Sequence, residues 1–299
     1  MPRGGGRVPG GVTEVAGAAA PAGLRSGQAV GAPPGGFGCG PARVRAVRPS
    51  AGSVRGPLHV VKFGSSVLAG EEGYRRVAGY VRDEVACGRR VIAVVSAMGQ
   101  TTEALLSTAN AVATEPRDAL VAALLATGEE ASVALLRIAL ADVGVPSAGF
   151  TAAQLCVRTR GELRDADPVA VDTRRIAAAL ACADVIVVPG FVGVDVTGEP
   201  SVLGRGGSDL TALFLGHAVG AAEIRLVKDV DGVFPGDPRC ERGLAPLRTV
   251  SWDRVRDIGG GVVQDKALRF AARHRLGFRV AAMGGRGTWV GDAILIPPP

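Results

Sequence analysis

Between Leu203 and Arg239 the chain reads LGRGGSDLTALFLGHAVGAAEIRLVKDVDGVFPGDPR. Gly206, Gly207 and Ser208 make a small-residue turn just before a helix-spaced apolar stretch, Asp209–Val219, and Arg205 stands beside them. A helix N-terminus offers unpaired N–H groups and the positive end of a dipole, so this turn suits an anion of phosphate size. Asp209 in the first turn could hold a lysine or a Mg2+ ion, which prefers carboxylate and phosphate oxygens. It would equally serve as a first-turn acid that complements the dipole.

Lysines sharpen the reading. The chain has three, Lys62, Lys228 and Lys266, against 31 arginines. A compact ammonium is not interchangeable with a planar guanidinium where a single phosphoryl oxygen must be met. Lys62 closes the apolar run of HVVKFGSSVLAG and precedes the turn Gly64-Ser65-Ser66, whose backbone N–H groups could cradle phosphates. Lys228 opens KDVDG, and Lys266 lies in the helix-like QDKALRFAARHRL.

These residues need elements to position them. Short β-branched runs at Leu58–Phe63, Arg90–Ser96, Val185–Val188 and Ile224–Val227 predict buried strands. Helical spacing covers Tyr74–Cys87, Glu103–Ala113, Glu129–Val143, Asp209–Val219 and Val262–His274. Phe191–Leu203 alternates around a Thr-Gly turn and predicts a hairpin. Alternating strands and helices predict an α/β fold with a mainly parallel sheet covered on both faces, and ligands gather at the carboxyl ends of such strands. Lys62, Ser96, Gly190 and Asp229 all lie at or near strand ends.

Composition bounds the rest. The net charge of +6 resides in residues 1–55, which carry seven arginines and one acid, so the remainder is neutral and no nucleic-acid partner is expected. Residues 1–56, rich in Gly, Ala, Pro and Arg, are expected to be a disordered tail, and 57–299 the folded domain. No secretory signal is evident. Nor does an apolar run reach the ~20 residues of a bilayer span, so no membrane partner is expected. Cys39, Cys87, Cys156, Cys182 and Cys240 are odd in number and unpaired in spacing, the pattern of reduced cytoplasmic thiols. Three scattered histidines offer no metal cluster. A GxxxxGK[ST] loop, GxGxxG spacing and an HRD-type loop are all missing.

Six motifs, VVKFGSSV, VVSAMGQTTEALL, ATGEEASVALL, VVPGFVGV, LGRGGSDLTA and KDVDGVFPGDPR, occur in an order that resembles aspartokinases of the amino acid kinase superfamily. The resemblance spans about residues 58–296. It implies a three-layer αβα sandwich, Mg-ATP (ATP with Mg2+) and phosphoryl transfer to a carboxylate, giving an acyl phosphate in amino-acid biosynthesis. It further implies a cytoplasmic homodimer acting on a small amino acid. By the same resemblance, the appended ACT domains of many aspartokinases are expected to be absent after GTWVGDAILI. By resemblance, Lys62 and Asp209 are catalytic, with Gly64, Ser65, Gly206, Gly207 and Ser208 about the phosphates. Glu129 would receive the acceptor amine, Arg205 would pair with a carboxylate, and Ser96 and Thr102 would stand near the reacting end. Lys228, Asp229, Phe234 and Arg239 match the nucleotide-contacting loop.

Three departures bear on the acceptor. KFGSSV is one residue shorter than the usual KFGGTSV or KFGGSSV and closer to the KLGSSVL opening of glutamate 5-kinases. Gly261 of GGGVVQDKA stands where a nucleotide-binding lysine is expected, with Lys266 a candidate substitute. Lys228 replaces the usual threonine. Kinases for glutamate, an N-modified amino acid or a specialised-metabolism acid are therefore rival readings, as is a catalytically weak nucleotide-binding regulator.

Overall fold

The computed structural model describes residues 56–236, 240–241, 243–259 and 261–292. The expected tail up to residue 55 and the expected site residue Arg239 lie outside them.

Strand β1 (Leu58–Phe63) is followed by α1 (Glu71–Ala86), β2 (Arg90–Val95), α2 (Thr101–Val112) and α3 (Asp118–Asp142). Next come β3 (Ser147–Gly149), β4 (Arg158–Arg160), β5 (Asp167–Ala170), α4 (Thr173–Leu180) and β6 (Val185–Pro189). The strands β7 (Val192–Val194) and β8 (Pro200–Val202) precede α5 (Gly207–Val219) and β9 (Glu223–Val227). The described chain then runs through β10 (Thr249–Val250), α6 (Trp252–Ile258), α7 (Asp265–Arg273), β11 (Phe278–Ala281) and β12 (Thr288–Val290).

Eight strands form one sheet in the order β10-β12-β11-β9-β1-β2-β6-β3, parallel except where β11 meets β12. Successive side chains of a strand point to opposite faces, and here that period sorts the apolar residues into two cores. Val61, Phe63, Val91, Ala93, Val95, Val185 and Val187 pack with Tyr74, Val77 and Val81 of α1 and Leu136 and Leu140 of α3. Val60, Ile92, Val94, Ile186, Val188, Ile224 and Leu226 pack with Leu210 and Leu213 of α5 and Ala267 and Leu268 of α7. The αβα sandwich follows, with each fully buried Leu, Ile or Phe contributing about 1.5–3 kcal/mol.

The parity also aims the chemistry. Lys62 shares the face of Val60, and Lys228 continues the face of Ile224 and Leu226, so both lysines point toward α5.

Helix α3 begins at Asp118, eleven residues before the expected start, because the Ala- and Leu-rich stretch after Pro116 favours helix strongly. Gly128, which looks like a break, lies where a Cβ would come 3.2–3.4 Å from Thr101, Ala97 and Leu105. Glu129 is consequently mid-helix and buried, while Glu130 is exposed. Contrary to the expectation of no spanning run, α3 is long and apolar enough to cross a bilayer by length and composition, but much of it is buried within the fold.

A four-stranded sheet, β5-β4-β7-β8, adjoins the main layers. Its β7–β8 pair is the expected hairpin; β4 and β5, at three and four residues, are too short to show a period.

Candidate active site

At the carboxyl ends of β1, β2 and β9 lies an open cavity of about 640 Å³. Lys62, Gly64, Ser65, Ser96, Thr102, Glu129, Arg205, Gly206, Gly207, Ser208, Asp209 and Lys228 all line it. Residues separated by as many as 166 positions are thus brought together by strand order. Asp229 is exposed and Phe234 half-buried, and neither lines the cavity.

The N-terminal turn of α5 forms one wall. Gly206, its N-cap, has φ of 78°, the left-handed region that glycine adopts without strain. A Cβ there would also strike Gln264 at 2.4 Å. The turn, closed by the Gly207 amide donating to the Gly204 carbonyl at 3.0 Å, places the N-terminal end of a 13-residue helix, the positive end of its dipole, in the cavity wall.

Asp209 sits at the centre. Lys62 Nζ meets its Oδ1 at 2.8 Å as an ion pair, and Lys228 Nζ donates to Oδ2 at 2.7 Å. Burial alone would raise the Asp209 pKa, but the two ammonium charges outweigh it and hold the carboxyl at about 2. Burial pulls Lys228 below the usual lysine range, with Lys62 adding to the pull and Asp209 opposing it. Two cations against one anion leave a net positive charge beside the helix end, suited to a polyphosphate.

This arrangement also tests the expected Mg2+. Both Asp209 oxygens are engaged by lysines, and the described residues contain no cluster of three or more His, Cys, Asp or Glu able to cage a metal. A Mg2+ ion carried on nucleotide phosphates and water is compatible with that donor set.

Glu129 lines the same cavity, with only 2% of its surface exposed. Burial pushes its carboxyl up to about 8, against the opposing pull of the Ala97 backbone N–H and the Lys62 charge. Its Oε2 has no hydrogen-bond partner among the described residues. A buried acceptor left unmatched is costly unless something else satisfies it, and a cationic ligand group would do so.

The surroundings of Glu129 are held rigidly. Tyr74 Oη lies 2.5 Å from Ser132 Oγ, and Ser132 Oγ donates to the Ser96 carbonyl at 2.6 Å. That chain ties α1 and α3 to the end of β2, next to the Ala97 amide that binds Glu129. Tyr74→Phe removes one buried hydrogen bond worth about 1 kcal/mol. Thermal unfolding is expected to show a Tm lowered by about 2–4 °C.

Several lining residues had not been expected as ligands: Glu103, Leu106, Leu125, Arg164, Phe191, Val202 and Gln264. Phe191 has φ of 66°, strained for a non-glycine residue, and its amide is held by Thr211 Oγ1 at 3.0 Å. Its place in VVPGFVGV was the available signal. Arg164, weakly tied to Asp118 at 3.7 Å, had none.

Lys266 departs from expectation. Its ammonium is engaged by oxygens of Asp165, Ala166, Asp167 and Leu203, and it lines a different cavity. It does not line the cavity that holds Lys62, Asp209 and Lys228.

Residues 57–281 match the model of a family described as the amino acid kinase family. The chain belongs to that family. Among curated relatives of this amino acid kinase, the aspartokinase of Geobacillus stearothermophilus is 35% identical over 240 residues, covering 79% of this chain and 59% of the relative. The aspartokinase of Mycobacterium tuberculosis (strain ATCC 25618 / H37Rv) is 37% identical over 223 residues, covering 73% and 53%. The chain thus spans little more than half the length of these relatives. An aspartate kinase structure from Synechocystis superposes with a TM-score of 0.67 at 27% identity, covering 81% of this chain and 40% of that one. The structure of E. coli aspartokinase III in complex with aspartate and ADP gives 0.67 at 22%, covering 79% and 64%, a likeness of fold.

Proposed function

We propose that the protein is an ATP-dependent kinase that phosphorylates the side-chain carboxylate of aspartate, or of a closely related amino acid, to an acyl phosphate. One observation carries the reading: a doubly lysine-paired Asp209 at a helix N-terminus shares one cavity with the buried Glu129, whose Oε2 is unmatched, and with Arg205. The first half suits a polyphosphate and the second an amino acid. The aspartokinase relatives at 35% and 37% identity support the reading. Mg2+ on the phosphates, a cytoplasmic location and a homodimeric state belong to the same proposal.

The chemistry asks little of the protein beyond placement. A carboxylate is already ionised near neutral pH, so its oxygen can attack the γ-phosphorus without a base while the bond to the β-phosphate oxygen breaks and ADP departs. Asp209, held near 2 by its lysines, is unsuited to proton abstraction and instead fixes the two ammonium groups. Lys62 and the α5 amides meet charge on the transferred and leaving oxygens. Arg205 grips the non-reacting carboxylate, Glu129 takes the amine, and Ser96 and Thr102 border the reacting end.

Hydroxylamine, which traps acyl phosphates as hydroxamates, tests this with MgATP across aspartate, glutamate and N-modified analogues. Hydroxamate with aspartate is the expected result; ADP formation with another acid alone would transfer the reading to that acceptor. Arg164 at the cavity wall favours that second reading, since a further guanidinium suits an acceptor with an additional anionic group. Nucleotide binding without turnover would make the protein a regulator. Lys62→Ala is expected to lower kcat at least ~10³-fold in the same assay, the scale of a lost charge clamp on a transferred phosphoryl group. Unchanged turnover would remove Lys62 from the chemistry.

A further inference from the structure

Lys266 collects more oxygen atoms than an ammonium has protons. Its Nζ donates to the Asp165 carbonyl at 3.1 Å, Asp165 Oδ1 at 2.8 Å, the Ala166 carbonyl at 3.0 Å and the Leu203 carbonyl at 3.1 Å. Asp167 Oδ1 lies at 3.2 Å. Three of the five are backbone carbonyls from two separate segments, so the contact fixes main chain to main chain. Leu203 immediately precedes Gly204 and Arg205, and its own amide is bound by the Phe191 carbonyl at 2.8 Å. Two residues before Lys266, the Gln264 side chain packs against Gly206 so closely that a Cβ there would strike it. The start of α7 therefore braces the turn at two points, through hydrogen bonding at Leu203 and through packing at Gly206.

We propose that Lys266 is a positioning residue that sets Arg205 and the turn of residues 206–208 at the start of α5 through the Leu203 carbonyl, without touching either substrate. The inference rests on the proposed function for the role of that turn. A compact ammonium fits three converging carbonyls, whereas a planar guanidinium presents its donors in a fixed fork too broad for them. That geometry gives a reason for lysine in a chain that otherwise uses arginine almost throughout.

The test compares the full chain with Lys266→Ala and Lys266→Arg. Calorimetry gives MgADP affinity, and hydroxamate formation gives kcat and KM for aspartate, each with and without methylammonium. Lys266→Ala is expected to raise the aspartate KM and weaken MgADP by about tenfold, the scale of one lost charge-assisted contact, with a smaller change in kcat. Methylammonium, filling the vacated place, is expected to restore both. Affinities within about twofold of wild type, or a loss that methylammonium leaves untouched, would overturn the proposal, since a tenfold effect is only 1.4 kcal/mol and easily resolved. If Lys266→Ala does not fold, Lys266→Arg decides: weakened binding by a folded variant supports positioning, and wild-type binding overturns it. If wild type forms no hydroxamate with aspartate, the kinase reading has failed there, and MgADP affinity with methylammonium rescue still decides the role of Lys266.

Discussion

Asp209→Asn is expected to abolish turnover and to destabilise the domain by about 3–5 kcal/mol, the scale of breaking a buried ionic cluster by removing one partner. Lys62 and Lys228 are both largely buried, at 8% and 15% side-chain exposure, and Asp209 is the carboxylate that pairs with each. Without it, two ammonium groups face each other in a poorly solvated space. Lys228, already held low by burial and by Lys62, is the group expected to shed its proton first. That release limits the stability loss but leaves one positive charge where phosphates need two. Lys228→Met in the Asp209→Asn background is therefore expected to recover much of the stability and none of the turnover. A double-mutant cycle in urea would measure the coupling directly. Additive losses of stability would show that the two lysines do not share Asp209 as a counter-charge.

The pH dependence of this cluster has a defined sign. The Asp209 pKa is lowered in the folded protein, from 3.8 to about 2. Its contribution to stability is present above the unfolded value and is lost as pH falls through that window.

Glu129→Gln is the second large effect, and it separates stability from function. The folded carboxyl titrates at about 8 instead of its ordinary 4.5, so between those values the folded state holds a proton that the unfolded chain releases. Wild-type stability therefore falls as pH rises from about 4.5 to 8, whereas a glutamine at this place has no such titration. The variant is expected to gain on the order of 3 kcal/mol relative to wild type between pH 5 and pH 8, read from urea unfolding at both values. An unchanged difference across that range would mean that Glu129 is ionised in the folded protein throughout.

Acceptor binding should move the other way. An ammonium group needs the ionised carboxylate, so the wild-type KM for an amino acid is expected to fall as pH rises from 6 to 8 and then level off. Glu129→Gln is expected to remove that slope and raise KM by about 10²-fold, the scale of truncating one member of a buried charge pair. A steep pH dependence surviving in the variant would assign the titration to another group.

The fold was largely legible because its central strands are parallel and buried on both faces. Such strands are continuous β-branched runs, so Leu58–Phe63, Arg90–Val95, Val185–Pro189 and Glu223–Val227 announce themselves. Strands β3, β4, β10 and β12 are three residues or fewer, too short to show any period. The start of α3 escaped for a different reason. Gly128 and the acidic pair after it look like a boundary, and only the packing against Thr101 and Ala97 shows why a glycine continues the helix there.

The site divides along the same line. Residue order by itself marked the proposed phosphate half: a glycine turn at a helix start, a lysine at a strand end, and an aspartate in the first helical turn are local features with local physical consequences. It also assembled the acceptor set through resemblance. What only the tertiary structure decided is which charges meet. Strand parity and the order β9-β1-β2 bring Lys62 and Lys228 onto one carboxylate, a pairing across 19 residues in one case and 147 in the other. Packing of α7 placed Lys266, a candidate nucleotide-binding lysine by sequence, on the Leu203 carbonyl and in a different cavity. Burial gave Glu129 its raised pKa and its unmatched oxygen, because desolvation depends on everything packed around a group and on nothing in its sequence neighbours.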